Sequence, residues 1–390
     1  MNDNHLVLHV GAPKCGSSSI QTALSKHPIL PARDTHKIVY GVIQGQSWLS
    51  PTKIRLGSKI GFSGYVASHG LHKYGGTGAG AAILKHHAPH LSQLLQQGVT
   101  PVLSSEGWLP QTATFTASGV LAELPRPTHV ILFVRPPLDW LNSAFWQWGI
   151  WQEPDIRAFL EKNSHRAAWV RYVKAWKAVP GVEKVSVRLM QRGVIGQFYD
   201  LLGCTAPSEV RSNTAVPPFF LQLMFRNRHL RPDAESPEAE FIVGARIGRK
   251  GDRSGWALPP DMPATILAEL EPETRALLDH LEPEDRAVLT EDPAWWDAAH
   301  YADRRLVSPE DLSTPEVMSD FYQRLCAVAG RTPDPHAVAR ISRAAAQRDL
   351  EQADAPLLEM IDVIYGQSWR WKATRARRWL RALRGRAPLR

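Results

Sequence analysis

Apolar positions in this chain fall into short unbroken runs, each set apart from the next by a stretch of helical period. His5–Val10 (HLVLHV) is one such run; it stops at Gly11 and reads as a buried strand. From Ser17 the pattern SSSIQTALSKH turns helical, with Ile20 and Leu24 on one face. Val99–Ser104 and His129–Val134 are two further strands, each preceded by a helical stretch. Glu183–Met190 (EKVSVRLM) is a fourth, followed by the helical GVIGQFYDLLG, and Lys37–Val42 is a shorter strand-like run. This βα alternation predicts an α/β protein, a three-layer fold with a central parallel sheet. Gly41–Gly80, rich in Gly, Ser and His without a sustained period, is expected to be a long loop over the upper sheet edge. After about Arg211 the chain becomes helical and punctuated by proline. LEPETR at Leu270–Arg275 recurs as LEPEDR at Leu281–Arg286, and each copy is expected to place its proline near a helix start. The expected organisation is a core over 1–210, a helical part of the same domain over 211–364, and a tail over 365–390.

Composition changes this picture in one respect. The 390 residues are 44% apolar and 22% charged, an ordinary globular balance that excludes a disordered or fibrous chain. Lys and Arg exceed Asp and Glu by 46 to 38, a formal charge of +8. Nine of those cations lie in Tyr365–Arg390, which has no acid, so the body of the chain is near neutral. On a helix Trp369, Ala373, Ala376, Trp379, Leu380 and Leu383 share one face, with arginines around the rest. That pattern over 369–384 fits an anionic membrane surface. A helix docked on the core with solvated arginines competes with it, and a nucleic-acid arm is the least favoured reading. Met1–Val10 lacks the pattern of a signal peptide, and no run approaches the ~18 apolar residues of a membrane span. Cys15, Cys204 and Cys326 form neither a disulfide framework nor a zinc-ligand spacing. The expectation is a cytoplasmic protein without a metal, with its tail on the inner face of the membrane.

The sharpest chemical signal is GAPKCGSSS, Gly11–Ser19, between the first strand and the first helix. Backbone N–H groups at such a turn, aided by the helix dipole, suit a phosphate or sulfate. Lys14 adds a point charge, and Ser17 and Ser18 add hydroxyl donors. A nucleotide-triphosphatase loop would read GxxxxGK[ST]; here the lysine precedes Gly16 by two positions. The second signal is Val134–Ser143 (VRPPLDWLNS). Arg135 ends a strand and Ser143 lies on the following helix, which is expected to begin near Pro136 or Pro137, so the two can grip one phosphate from two sides.

Together the two segments resemble the sulfotransferases that use 3′-phosphoadenosine 5′-phosphosulfate (PAPS). The family's loop is matched by Pro13, Lys14, Cys15, Gly16, Ser17 and Ser18, and its second segment by Arg135 and Ser143. Gly11 and Gln21 make the match most similar to the bacterial and carbohydrate-directed branch. The likeness covers roughly residues 5–205. It implies a P-loop-like fold, PAPS as co-substrate with release of PAP, and a carbohydrate or lipid-linked acceptor. There are departures. Arg135-Pro136-Pro137 replaces the common Arg-Asp-Pro, and Ser19 stands where cytosolic members often carry an adenine-stacking Trp, so adenine would be gripped elsewhere. Arg249-Lys250-Gly251 is similar to the loop that closes over the 3′-phosphate, though a solvated basic turn reads equally well.

Sulfuryl transfer needs a base for the attacking hydroxyl or amine. Glu106, directly after the Val99–Ser104 strand, is the candidate base, and Lys14 the group that stabilises the leaving oxygen. A helix-capping or ion-paired Glu106 is the alternative. His36 and then His69, His72, His86 and His87 are further candidate bases, and Cys15 reads as a spectator. Acceptor contacts are expected from Gly41–Gly80 and the Trp-rich stretch Trp140–Trp151. Two other functions stay open: a P-loop small-molecule kinase, and a non-catalytic nucleotide-fold protein docking to membranes through its tail.

Overall fold

Continuous apolar runs become strands buried on both faces, as a parallel sheet requires. In a computed structural model, which describes residues 4–32, 37–55, 64–191, 193–208, 216–248, 255–307 and 309–368, every residue of β1 (Leu6–His9), β5 (Val99–Ser104) and β6 (Thr128–Val134) is buried. The other strands are β2 (Ile29–Leu30), β3 (Lys37–Gln44), β4 (Ser47–Leu49) and β7 (Val182–Leu189). Their order is β2-β3-β5-β1-β6-β7, with β4 paired to β3. Strands β3, β5, β1, β6 and β7 run parallel, while β2 and β4 pair with β3 antiparallel. The expected parallel sheet thus carries antiparallel additions at one edge.

The principal helices are α1 (Ser17–Lys26), α2 (Thr77–Gln96), α3 (Pro137–Ala144), α4 (Trp169–Lys177) and α5 (Val194–Leu201). The chain leaves central β1 through α1 toward β3, then returns in the opposite direction across the sheet. Right-handed crossovers therefore put α1 on one face and α2, α3 and α4 on the other, giving three layers. Strand β1 lies between β5 and β6, at the point where the direction of winding reverses. Ligands of open α/β sheets bind at the carboxyl ends of strands beside such a point.

Gly41–Gly80 is not the long loop expected. Gly41 lies inside β3, Gly45 (φ 62°) opens a two-residue turn into β4, and Pro51–Arg55 is helical before α2 begins at Thr77. The reason Gly41 occurs in a strand is Trp48. A Cβ on Gly41 would lie 2.3 Å from the Trp48 ring, which crosses the strand there.

The helical C-terminal part comprises α6 (Pro218–Arg226), α7 (Met262–Leu277), α8 (Pro283–Glu291), α9 (Pro315–Ala329), α10 (Pro335–Ala346) and α11 (Leu350–Gln367). Pro283 begins α8 as expected, but Pro272 lies inside α7. Buried Ile266, Leu267 and Leu270 before it and Leu277 after it form one apolar face, and that burial carries the helix through the proline. The part is fastened to the sheet by a parallel bridge between Val187 and Leu281 and by the Arg188–Asp285 ion pair at 2.5 Å. Asn142 on α3 donates to Gly255 O at 2.9 Å and accepts from Ala257 N at 2.9 Å. Three of the expectations, His36, the Arg249-Lys250-Gly251 turn and the 369–384 tail, lie outside the described residues. Among the described residues no helix is long and apolar enough to cross a membrane.

Two buried histidines set an acid limit on the fold. Burial holds the His9 and His129 imidazoles down to about 3, with repulsion from His5 and Lys184 adding to the effect at His129. In the unfolded chain they titrate near the ordinary value of 6.5. Between those limits the unfolded state binds more protons, so stability is lost as pH falls below about 6.5. Chemical denaturation between pH 6 and 5 should show a loss of about 2 kcal/mol or more per pH unit. A flat profile over that interval would place both imidazoles in contact with water.

Candidate functional site

The ends of three adjacent strands bring the candidate chemistry together. After β1 the chain turns through Gly11–Gly16 into α1; after β5 it reaches Glu106; after β6 it reaches Arg135. The register is fixed by Ser105 N donating to His9 O at 3.0 Å and Val10 N to Ile131 O at 3.2 Å.

The Gly11–Gly16 loop is wound through left-handed backbone at Gly11 (φ 31°), Lys14 (φ 65°) and Gly16 (φ 86°). Lys14 is one of two non-glycine described residues in that region, a conformation that needs support from its surroundings. Support comes through the carbonyls. Ala12 O accepts from Cys15 N at 3.2 Å and Ser17 Oγ at 3.3 Å. Pro13 O accepts from Trp140 Nε1 at 2.8 Å, and Lys14 O from Arg135 Nη1 at 3.3 Å. Helix α1 begins after Gly16 with no side-chain cap, so its first N–H groups, at Ser17 and Ser18, lack an intrahelical acceptor. Carbonyls engaged by donors and amides left without an acceptor are what an anion requires.

Around this loop the side chains are charged and partly withdrawn from water. Arg135 Nη1 also donates to Ser143 Oγ at 3.1 Å, so one guanidinium joins the loop to α3, where the eight-residue spacing placed it. Asp139 stands 3.9 Å from both Arg135 and Arg304. Burial pulls the Lys14 ammonium below its ordinary range; Glu106 opposes that shift, while Arg135 and Arg231 reinforce it. Burial pushes the Glu106 carboxyl up, against the pull of Lys14 and a hydrogen bond from Ser18 Oγ at 3.4 Å. Cys15 is wholly buried, and burial raises its thiol to about 12, in keeping with a spectator. The partly buried Ser19 contributes its backbone N–H to Gly16 O at 3.0 Å.

The candidate histidines are divided by the fold. His87 Nε2 meets Gly45 O at 2.8 Å, and His86 and His87 pack together on α2 with Trp48 behind His87, so their contacts belong to the β3–β4 turn. His69 lies closer: its carbonyl accepts from Trp108 Nε1 at 2.9 Å, while Nδ1 meets Tyr74 OH at 3.1 Å. Beside it Gly70 and Gly107 touch backbone to backbone, with the His72 ring against Gly70.

Of the four tryptophans in Trp140–Trp151, Trp140 and Trp146 are buried while Trp148 and Trp151 are half-buried. Trp140 and Trp146 are 2% and 3% exposed, and Trp146 Nε1 donates to Gly255 O at 2.6 Å. Trp151 Nε1 donates to Arg231 O at 3.1 Å. Several partners carried no sequence signal. His9 Nδ1 and Gln21 Nε2 both meet Ser104 Oγ, at 2.8 and 3.1 Å, tying the strand before the loop to the one before Glu106. Arg231, 1% exposed, pairs with Glu240 and donates to Gln147 O at 2.5 Å, with its guanidinium 3.9 Å from the Trp151 ring centroid. Tyr65, from a segment read as loop, packs edge-on against Phe241 within the field of Glu106. Long-range pairings of this kind leave no periodic trace; the alternation of polar His9 and Ser104 at strand ends was the one available hint.

No family model matches the chain, and no curated protein sequence matches it. One solved structure, described as the crystal structure of a sulfotransferase from Alicyclobacillus acidocaldarius, aligns over 74% of this chain and 97% of its own. The two are 16% identical with a TM-score of 0.34. That superposition is too loose to equate the folds.

Glycines at the strand ends give a direct check on the geometry. A Cβ on Gly107 would lie 2.8 Å from the Gly70 Cα, a backbone atom that cannot turn aside. Gly107→Ala should therefore cost about 1–3 kcal/mol in chemical denaturation and displace Glu106. Gly78→Ala, where nothing lies within 4 Å, should cost nothing measurable. Equal stability of the two variants would show that the 70 and 107 segments are not in contact.

Proposed function

We propose that the protein is a PAPS-dependent sulfotransferase, transferring a sulfuryl group to a hydroxyl or amine and releasing PAP. The observation that carries this reading is the Arg135 guanidinium, which bonds Ser143 Oγ and Lys14 O together at the mouth of an uncapped helix. It joins two sequence motifs by hydrogen bonds at the sheet's switch point, which supports one shared anion site. In this reading Pro13, Lys14, Cys15, Gly16, Ser17, Ser18 and Ser19 form the 5′-phosphosulfate cradle, and Arg135 and Ser143 hold the 3′-phosphate. Arg249, Lys250 and Gly251 are assigned to the same phosphate on the strength of the resemblance alone.

The chemistry follows from charge placement. Glu106 takes the proton from the acceptor, whose oxygen or nitrogen forms a bond to sulfur as the bond between sulfur and the bridging oxygen breaks. Charge gathers on that oxygen, which leaves on PAP, and Lys14 with the amides of the α1 terminus lowers its energy. A partly buried Glu106 with a raised pKa is suited to hold that proton. The acceptor is assigned as a carbohydrate or glycolipid, following the branch that Gly11 and Gln21 resemble. The 369–384 tail is assigned to an anionic membrane surface from its pattern of Trp and Arg.

Calorimetric titration with PAP, and with ATP and Mg²⁺ in parallel, tests the assignment. PAP should bind the wild type, and Arg135→Ala should weaken it by about 10–100-fold, the loss of charge-assisted hydrogen bonds. Glu106→Gln should bind PAP at least as well as wild type yet fail to consume PAPS. Magnesium-dependent ATP binding with no response to PAP would favour a kinase and sink the reading.

A further inference from the structure

Arg304 comes from the helical C-terminal part, yet its guanidinium ends beside the residues that follow β6. Asp139 Oδ1 lies 3.9 Å from Arg135 Nη2 and 3.9 Å from Arg304 Nη2, so the two nitrogens are at most twice that distance apart. Asp139 and Ser143 are four residues apart on α3 and share one face, which Arg135 meets through its bond to Ser143 Oγ at 3.1 Å. A circuit of contacts that starts and ends on α3 brings Arg304 there. Asn142, next to Ser143, donates to Gly255 O, as does the Trp146 indole. Trp256 then stacks on the Tyr301 ring with centroids 5.1 Å apart, and both rings are buried. Val307 N donates to Trp256 O at 2.8 Å and Arg304 N to Tyr301 O at 3.0 Å, which fixes the backbone at and after Arg304. The Arg304 guanidinium lies 5.6 Å from the Trp256 ring centroid and 5.9 Å from that of Tyr301, within cation–π range of both.

Two arginines set against one carboxylate leave one positive charge unmatched between them. At 3.9 Å neither contact is a hydrogen bond, so Asp139 holds both guanidiniums by charge without using up their N–H donors. Resting on the sulfotransferase reading, we propose that Arg304 is a second guanidinium of the 3′-phosphate subsite and sets the preference for a nucleotide that carries this phosphate. A terminal phosphate brings about two negative charges and three acceptor oxygens, more than Arg135 and Ser143 satisfy by themselves. Accepting on two sides, it spans two nitrogens separated as these are. The side chain of Arg304 is 36% exposed, so a ligand can reach it. The buried Trp256–Tyr301 stack beneath it is a rigid base, which lowers the cost of ordering the guanidinium on binding. Asp139 stands in for the phosphate: it keeps two like charges together in the ligand-free protein and yields them to a ligand of greater charge. Arg304, unlike Arg249, Lys250 and Gly251, is assigned on its contacts. A purely structural Arg304 would only tie the segment 301–307 to α3, and the two roles differ in what Asp139 contributes.

Calorimetric titration of the full chain with PAP, and with AMP, which lacks the 3′-phosphate, tests this. Arg304→Met keeps an unbranched side chain over the Trp256–Tyr301 stack without the charge. It should weaken PAP about tenfold and leave AMP binding as in wild type. Arg304→Lys, a point charge without the fork, should recover part of that loss. Asp139→Asn should bind PAP at least as tightly as wild type, because the carboxylate that competes with the phosphate is gone. An Arg304→Met protein that binds PAP like wild type overturns the inference, and so does one that weakens PAP and AMP equally. A loss of PAP affinity in Asp139→Asn as large as in Arg304→Met overturns it too, since Arg304 would then be a strut held through Asp139. Wild-type protein with no preference for PAP over AMP would instead overturn the sulfotransferase reading beneath it.

Discussion

The site depends on three loop carbonyls being engaged by donors. Ala12, Pro13 and Lys14 lie in a loop that the backbone would not adopt unaided, with Lys14 at a φ of 65°. Each of their oxygens accepts a hydrogen bond, from Cys15 N and Ser17 Oγ, from the Trp140 indole and from the Arg135 guanidinium. Were any of these oxygens to face forward, its partial negative charge would oppose an anion at short range. Because they are held, the dipoles of the following peptide units and the α1 terminus act in concert. Arg135 is central because it meets the loop carbonyl and Ser143 at once, so the support of the loop and the proposed second anion grip share one side chain.

Indole N–H groups perform the same service elsewhere. Trp169 donates to Arg135 O at 2.9 Å, Trp108 to His69 O at 2.9 Å and Trp176 to Leu109 O at 3.0 Å. Each is a buried or mostly buried ring whose polar edge reaches a loop carbonyl at or beside a strand end. A buried indole must find an acceptor, and a loop carbonyl at a sheet edge must find a donor, so each need satisfies the other. This explains why Trp140 and Trp146, whose indoles reach Pro13 O and Gly255 O, lie buried in a stretch rich in tryptophan. Electrostatics then complete the site. Lys14 lies between the fields of Glu106 and Arg135, and burial strengthens its coupling to both.

Strands were legible because burial on both faces imposes an unbroken apolar run, and Val99–Ser104 coincides with its strand residue for residue. The loop and Arg135–Ser143 were legible because local spacing determines their geometry. Other features were decided by distant partners. Gly41 looks like a loop residue until Trp48 lies across it, and Pro272 looks like a helix start until the apolar face on either side of it is buried. Glu106 could be found from its place after a strand, but not its ties to Ser18 and Tyr65, which join residues far apart in the chain. Arg231 is the same case: nothing near it in sequence indicates a buried cation whose field reaches Lys14.

The account stands on the claim that the loop after β1 and the guanidinium after β6 form a single anion-binding unit. A crystal structure of the full chain with PAP tests this most directly. The account predicts the 5′-phosphate on the N–H groups of Gly16, Ser17 and Ser18 beside Lys14, with the 3′-phosphate between Arg135 and Ser143. PAP seated away from the Gly11–Gly16 loop, or a loop complex in which Arg135 and Ser143 touch no phosphate, would contradict it.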